Sequence, residues 1–247
     1  MVDELGRWPR RGPGEPVGVL AHRGGTGPWR ENTLEAFTGA LRLGADGVEL
    51  DVRRTSDGRL VVHHDAQIPG TGAIHAGRAG ELPSWVPGLD EALEACAGAV
   101  VNVELKNAPV EPGYDENETA AAEVVPLLRA ASGSAGRGPA HVLVSSFWPA
   151  TLAAVRTAGP EIATGLLVHP SLDVDQAVGQ AAALGCAALH PFHARVRPGL
   201  VDLVHGMDMG VVVWTVNEAD DLAAAAAAGV DVVISDRVAD ALSAVGR

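Results

Sequence analysis

The stretch DGVELDVRRTSDGRLVVHHD, residues 46–65, sets two carboxylates, Glu49 and Asp51, two residues apart in a run otherwise rich in Val and Leu. On a β-strand, residues i and i+2 point to the same face, and two uncompensated carboxylates on a buried face are costly. Something must neutralise them. Further reactive groups fall at the ends of other apolar runs: His22 and Arg23 after VGVLA, His64 after LVVH, Glu104 and Lys106 in VVNVELK, Trp214 and Asn217 in VVVWTVN. Glu49, Asp51 and Glu104 are hard oxygen ligands with no cysteine among them, a set that suits one divalent cation, Mg²⁺ or Ca²⁺, with Mn²⁺ also acceptable. A competing reading pairs Glu49 and Asp51 with Arg23 and Lys106 as a structural ion network. His22 and His64 titrate near neutrality, so one can take a proton while the other gives one. Alternation puts His63 on the face opposite His64, in a packing or solvated role.

Groups so far apart in sequence converge only if the elements that carry them end at one place. Short β-branched runs alternate with Ala- and Leu-rich stretches along the chain. The strands read at 17–21, 47–52, 59–64, 100–105, 141–146, 162–168, 186–190, 211–216 and 231–235. The helices read at 33–43, 89–97, 116–131, 149–158, 173–184, 198–208 and 218–228. Such βαβα alternation predicts a parallel sheet wrapped by helices. The Ser-Asp-Gly turn at 56–58 is a hairpin signal, so 59–64 returns antiparallel to the strand before it, and eight strands remain. The expected fold is α/β, a (β/α)8 TIM barrel with an antiparallel hairpin extension after strand 2. No GxGxxG follows the first strand, against a dinucleotide-binding sheet. In a (β/α)8 barrel the functional groups gather at the C-terminal ends of strands, where the acids and imidazoles above fall.

The chain has 247 residues, 47% hydrophobic, with a formal net charge of −13. That charge argues against a partner with a polyanionic surface, nucleic acid or anionic membrane, since either requires a basic face. The expected partner is a small molecule, and an anionic one must find its positive charge locally. Cys96 and Cys186 lie far apart, with no metal spacing, and read as buried free thiols of a reducing compartment. Residues 1–16, rich in Pro and Gly, read as a flexible lead-in without an apolar signal-peptide core, and 17–247 as a single domain. With no apolar run of 18 residues, no membrane insertion is expected and a cytoplasmic location is the default. SGSAGRGP, 132–139, reads as a flexible loop. His190 and His193 are spaced like a weak metal pair but lack a neighbouring carboxylate, which favours a structural or rim role. Trp29 and Trp85 fall in loops at the barrel mouth.

At these residues the chain resembles the glycerophosphodiester phosphodiesterase family. The matching motifs are AHRGG 21–25, ENTLEAF 31–37, GADGVELDVRRTSDGRLVVHHD 44–65, VPGLDEAL 86–93, VNVELK 101–106, SSF 145–147, VVVWTVNEADDL 211–222 and GVDVVISD 229–236. The resemblance implies a (β/α)8 barrel, a divalent cation and hydrolysis of a glycerol-linked phosphodiester to glycerol 3-phosphate and an alcohol. It implies His22 and His64 as the acid/base pair, Glu49, Asp51 and Glu104 as metal ligands, and Arg23 and Lys106 as phosphate contacts. Trp214 would stack on the glycerol or line the barrel floor. The family's usual insertion after the His-Asp motif is reduced here to AQIPGTGAIHAGRAGELPSWV, so a trimmed cap and a more open pocket are expected, and ISDRV replaces the usual Thr-Asp-x-Pro ending. The nucleophile is either water or the substrate's neighbouring hydroxyl, the latter through a cyclic phosphate. Three alternatives stand beside this reading. A lysophospholipase D would need an apolar lip, for which Trp29, Trp85, Ile68 and Val86 are the candidates. A non-catalytic phosphoester-binding protein would be expected to lack one of the histidines or acids, and here none is missing. A metal-dependent amidohydrolase would want HxH on the first strand, where AHRGG has one His.

Overall fold

The computed structural model describes residues 9–12, 14–133 and 141–247; residues 1–8 and 13 of the N-terminal lead-in and 134–140, which take in most of the Gly/Ser-rich loop, lie outside the described residues. In chain order the elements begin with β1 (Gly18–His22), α1 (Leu34–Arg42), β2 (Gly47–Arg54) and β3 (Leu60–Val62). A small hairpin, β4 (Gln67–Ile68) and β5 (Gly72–Ala73), precedes α2 (Leu89–Ala95) and β6 (Val100–Leu105). There follow α3 (Thr119–Gly133), β7 (His141–Ser146), α4 (Pro149–Ala158), β8 (Ala163–Val168), α5 (Val174–Leu184) and β9 (Ala188–Pro191). The chain ends with α6 (Leu200–His205), β10 (Gly210–Val213), α7 (Ala219–Ala227), β11 (Val232–Ser235) and α8 (Val238–Ala244).

Eight of these strands form a closed parallel ring, β1-β2-β6-β7-β8-β9-β10-β11, with β11 returning to β1. The ninth, β3, lies antiparallel on β2, with Val52 opposite Val62. The chain is thus a (β/α)8 barrel with a return strand beyond strand two, as its sequence predicts. Alternation along β2 sends Val48, Leu50 and Val52 outward into the layer shared with the helices, where Phe37, Leu93, Leu128 and Leu152 also pack. The inward face of the ring carries a separate, smaller apolar cluster that includes Leu20, Val100, Leu143, Ala188, Val212 and Ile234. Above that cluster the inward positions turn polar, and the site begins there.

Several boundaries differ from the sequence reading. The seventh barrel strand ends at Val213, and Trp214 only bridges to Phe192. The return strand stops at Val62, which leaves His63 and His64 in a loop above the ring. The hairpin β4–β5 and the closing helix α8 have no counterpart in the sequence reading. The segment after β3 folds on its own apolar cluster, Val61, Ile68 and Ile74 with Leu82, Trp85 and Val86 against them. At the opposite end of the barrel the backbone N–H of Arg11 donates to Asp231 Oδ1 at 2.9 Å, and its guanidinium donates to the Val230 carbonyl at 3.1 Å. Cys96 and Cys186 are buried free thiols, and burial pushes the Cys96 thiol up to about 12. Among the described residues no helix is long and apolar enough to cross a membrane.

Candidate active site

Register brings the carboxylates together. On adjacent strands His22 lies beside Glu49, Glu49 beside Asn102, and Asp51 beside Glu104. One oxygen from each of Glu49, Asp51 and Glu104 lies within 4.8 Å of the others, and all three residues are buried. Lys106 Nζ stands between two of them, 3.0 Å from Asp51 Oδ1 and 2.6 Å from Glu104 Oε1. Arg23 Nε makes an ion pair with Asp51 Oδ2 at 3.2 Å, and the Asn32 amide donates to that same oxygen at 2.8 Å. The chain turns sharply after β1, with Arg23 itself left-handed at φ 52°. Gly24 at φ 87° follows, where a Cβ would come within 2.5 Å of the Ala36 Cβ on α1. This turn aims the Arg23 backbone N–H at Glu49 Oε2, 3.1 Å away.

The charges do not balance. Three carboxylates face two cationic side chains, and Glu49 bears the shortfall: its Oε1 is buried with no hydrogen-bond partner. Burial, reinforced by the negative charge of Asp51, pushes the Glu49 carboxyl up to about 8. Asp51 goes the other way; burial opposes its ionisation, but Lys106 and Arg23 hold it well below the usual carboxylate range. Glu104 is raised by burial in spite of Lys106. The ion-network reading therefore accounts for Asp51, and Lys106 serves Glu104 as well, but Glu49 is left without a cationic side chain of its own. A partnerless buried oxygen in an all-oxygen donor set fits a hard divalent cation.

The two imidazoles have different supports. His22 Nδ1 lies 2.7 Å from Asp236 Oδ1. Asp236 is held in turn by the Asn217 amide, which donates to Oδ2 at 2.7 Å, while the Asp236 backbone N–H donates to Asn217 Oδ1 at 2.9 Å. His22 Nε2 faces the acids, 4.0 Å from Glu49 Oε2. Burial works against a charged His22, but the Asp236 hydrogen bond and the Glu49 charge outweigh it and raise its pKa. His64 Nδ1 lies 2.8 Å from Asp65 Oδ1, and Arg53 Nε donates to the His64 carbonyl at 2.8 Å. Burial lowers the His64 pKa, the cations Lys106 and Arg23 lower it further, and Asp51 only partly offsets them.

A pocket of about 220 Å³ joins these groups, lined by His22, Arg23, Glu49, His64, Glu104 and Lys106, with Phe147 and Trp214 on its apolar wall. Asp51 lies just beneath its surface. Larger clefts exist, about 280 Å³ beside Arg53 and Tyr114 and about 430 Å³ at the other end of the barrel, but each is lined by a single histidine and neither holds a pair of imidazoles. The Trp214 indole donates to the His190 carbonyl at 2.7 Å and meets Phe147 edge-on at 5.4 Å, so it is a fixed wall of the pocket. His63 bonds through Nδ1 to the Asp65 carbonyl and packs on Trp85. His190 is buried inside the barrel, whereas His193 lies 3.8 Å from Asp221 at the rim. Among the described residues, the only group of three or more His, Cys, Asp or Glu able to hold a metal is the Glu49, Asp51, Glu104 set. Trp29 and Trp85 do not form an open lip. The Trp29 indole donates to the Gly25 carbonyl, and Trp85 is covered by the Arg30 guanidinium 4.0 Å from its ring centre.

Three supporting residues escaped the sequence reading, Asn32, Asp65 and Asp236. Asp236 directly follows β11, so the strand-end rule that selected the other site residues would have selected it too. The sequence profile of the glycerophosphoryl diester phosphodiesterase family matches residues 22–240. The chain belongs to this family. It is 31% identical over 239 residues to a glycerophosphodiester phosphodiesterase of Caldanaerobacter subterraneus subsp. tengcongensis, a match covering 88% of this chain and 93% of that one. Among solved structures it is similar to an Oleispira antarctica phosphodiesterase in complex with the product sn-glycerol-3-phosphate, with a TM-score of 0.80 at 28% identity, covering 94% of this chain and 98% of that one. It is also similar to a Thermotoga maritima glycerophosphodiester phosphodiesterase, with a TM-score of 0.73 at 25% identity, covering 91% of this chain and 96% of that one. His22 opens the family match, and every residue expected for the site falls within it.

Proposed function

We propose that this protein hydrolyses glycerophosphodiesters to glycerol 3-phosphate and an alcohol, with His22 and His64 as the proton-transfer pair. The observation that carries the reading is the meeting of two separately supported imidazoles with Glu49 and Glu104 in one small pocket, the buried Asp51 completing the acid cluster behind them. The product bound by the Oleispira relative, sn-glycerol-3-phosphate, is the product expected here. Glu49, Asp51 and Glu104 would hold one divalent cation, Mg²⁺ or Ca²⁺ with Mn²⁺ as a substitute, and when bound it supplies positive charge against the phosphate oxygens.

The chain's own residues do the rest. Arg23 and Lys106 bring fixed positive charge to the pocket, so non-bridging phosphate oxygens are stabilised as charge builds on them. Asp236 holds His22 by Nδ1 and leaves Nε2 free towards the substrate; Asp65 does the same for His64. One imidazole deprotonates the nucleophile and the other protonates the departing alkoxide, each worth roughly 10²–10⁴ in rate. Of the apolar residues that an acyl chain would need, Ile68 is only 3% exposed, Trp85 and Val86 pack against the same hairpin cluster, and Trp29 is tied to the Gly25 carbonyl, which favours a water-soluble substrate over a lysophospholipid. Residues 17–247 act as one catalytic unit, and the acidic chain with its two buried thiols fits the cytoplasm better than a nucleic acid or a membrane surface. The test is glycerol 3-phosphate release from glycerophosphocholine by the wild type and by His22→Ala and His64→Ala. Each variant should lose at least 99% of the rate, about the lower bound for a proton-transfer residue, and one retaining over half would refute its role.

A further inference from the structure

Asn102 sits at the bottom of the same pocket and takes no part in the chemistry above. It lies on the inward face of β6 between its strand neighbours Glu49 and Leu143. It is 1% exposed, lines the pocket, and neither its amide nitrogen nor its amide oxygen has a hydrogen-bond partner in the chain. The neighbouring polar groups of the inward face do not satisfy it. Ser145, diagonal to it on β7, and His190 on β9 are buried and unpartnered themselves. The His190 ring turns towards Gly165, where a Cβ would meet Nε2 at 2.4 Å. A buried amide with a free donor and a free acceptor is an expensive feature to keep without a ligand. The apolar residues at this depth, Leu167 and Ile234, offer it nothing.

A hydroxyl is the group that complements it, since one oxygen both donates and accepts. Resting on the glycerophosphodiester reading above, we infer that Asn102 reads the terminal hydroxyl of the substrate's glycerol unit. The hydroxyl next to the phosphoester must stay near the imidazoles and the acids. The terminal one is farthest from the reacting phosphorus and is the one that reaches the floor. Asn102 is thereby a specificity-determining residue that separates glycerol esters from simpler alkyl phosphodiesters. A site built to hydrogen-bond a hydroxyl discriminates strongly against the analogue that lacks it, because the analogue leaves a buried polar group unpaired.

The experiment compares kcat/KM of the cation-loaded enzyme for glycerophosphocholine and for 2-hydroxypropyl phosphocholine, which lacks only the terminal hydroxyl. Wild type should prefer the glycerol ester by roughly 10- to 100-fold or more. Asn102→Leu, close in volume, should lose that preference through a fall on the glycerol ester, with the analogue's rate little changed. If the Leu variant does not fold, Asn102→Ala, which has no polar side-chain atom, is measured in its place, with the same loss of preference expected. Equal losses on both substrates, or a preference that survives the substitution, would overturn the assignment while leaving the hydrolase reading intact. A wild-type enzyme inactive on both substrates would instead bring down that reading and this one with it.

Discussion

Asp236 Oδ1 lies 2.7 Å from His22 Nδ1, so the carboxylate that follows the last barrel strand fixes the imidazole that follows the first. Because β11 and β1 are neighbours in the closed ring, residues 214 positions apart in sequence become a dyad. Asn217 secures Asp236 from the preceding strand end, so one ring atom of His22 is committed to support and the other to the pocket.

Replacing Asp236 by Asn keeps the shape but removes the charge that stabilises the imidazolium. The His22 pKa should fall, and the limb of the pH–rate profile that belongs to His22 should move to lower pH. The rate should drop on the order of 10²-fold, within the span a proton-transfer residue commands. An unchanged profile would show that the dyad has no catalytic part.

Lys106 Nζ touches both Asp51 and Glu104 from a buried position. Lys106→Met would leave the buried Glu104 carboxylate without its counter-charge and Asp51 paired to Arg23 alone of the two cations, a loss of about 3–5 kcal/mol of stability in the ion-free protein. A divalent cation binds the folded state alone and should restore part of that loss by mass action. Denaturant melts with and without cation measure both effects. A variant as stable as wild type without the ion would mean that Lys106 compensates nothing.

Glu49 gives the ion site a pH dependence of definite sign. Its pKa is raised in the folded state to about 8 from an ordinary 4.5. Its contribution to stability is therefore complete below the ordinary value and declines as pH rises towards 8, so the ion-free protein should weaken across that window. A cation needs the ionised carboxylate, so binding should expel roughly one proton per ion near neutral pH and tighten as pH rises. Calorimetry in buffers of different ionisation heat counts the protons. A count of zero at pH 6.5 would contradict the burial argument.

Much of this was legible in the sequence, for physical reasons. Strand-helix alternation spans the chain, and the parity of Glu49 and Asp51 within β2 sets both on the inward face whatever the details of the ends. His22, His64, Glu104 and Lys106 were found by one rule, that barrel chemistry gathers where strands end. The same rule reaches Asp236, but the carboxylate stands one residue beyond β11 and reads as part of a turn. Asn32 was hidden for a different reason: its bond to Asp51 depends on how the loop after β1 folds, and no periodicity encodes that. Helix α8 spans only two turns and β4 and β5 two residues each, too short for a period to register. Trp29 and Trp85 read as exposed loop aromatics because their covers, the Gly25 carbonyl and the Arg30 guanidinium, are tertiary contacts.

The packed state of those aromatics makes a substrate prediction. With Ile68 buried and Trp85 held between His63 and Arg30, no open apolar lip is built from these residues. Glycerophosphocholine should be turned over at least about tenfold faster than lysophosphatidylcholine at equal concentrations below the micellar range, a margin of roughly 1.4 kcal/mol in transition-state free energy. The reverse order would favour the lysophospholipase D alternative.

The most direct test of the central claim strips the protein of metal and follows glycerol 3-phosphate release from glycerophosphocholine with and without Mg²⁺, Ca²⁺ or Mn²⁺. The account predicts release that depends on one of these ions and is lost in Glu49→Gln, whose carboxyl is the one the chain leaves uncompensated. Equal release from the metal-free protein, or release undiminished in Glu49→Gln, would contradict it.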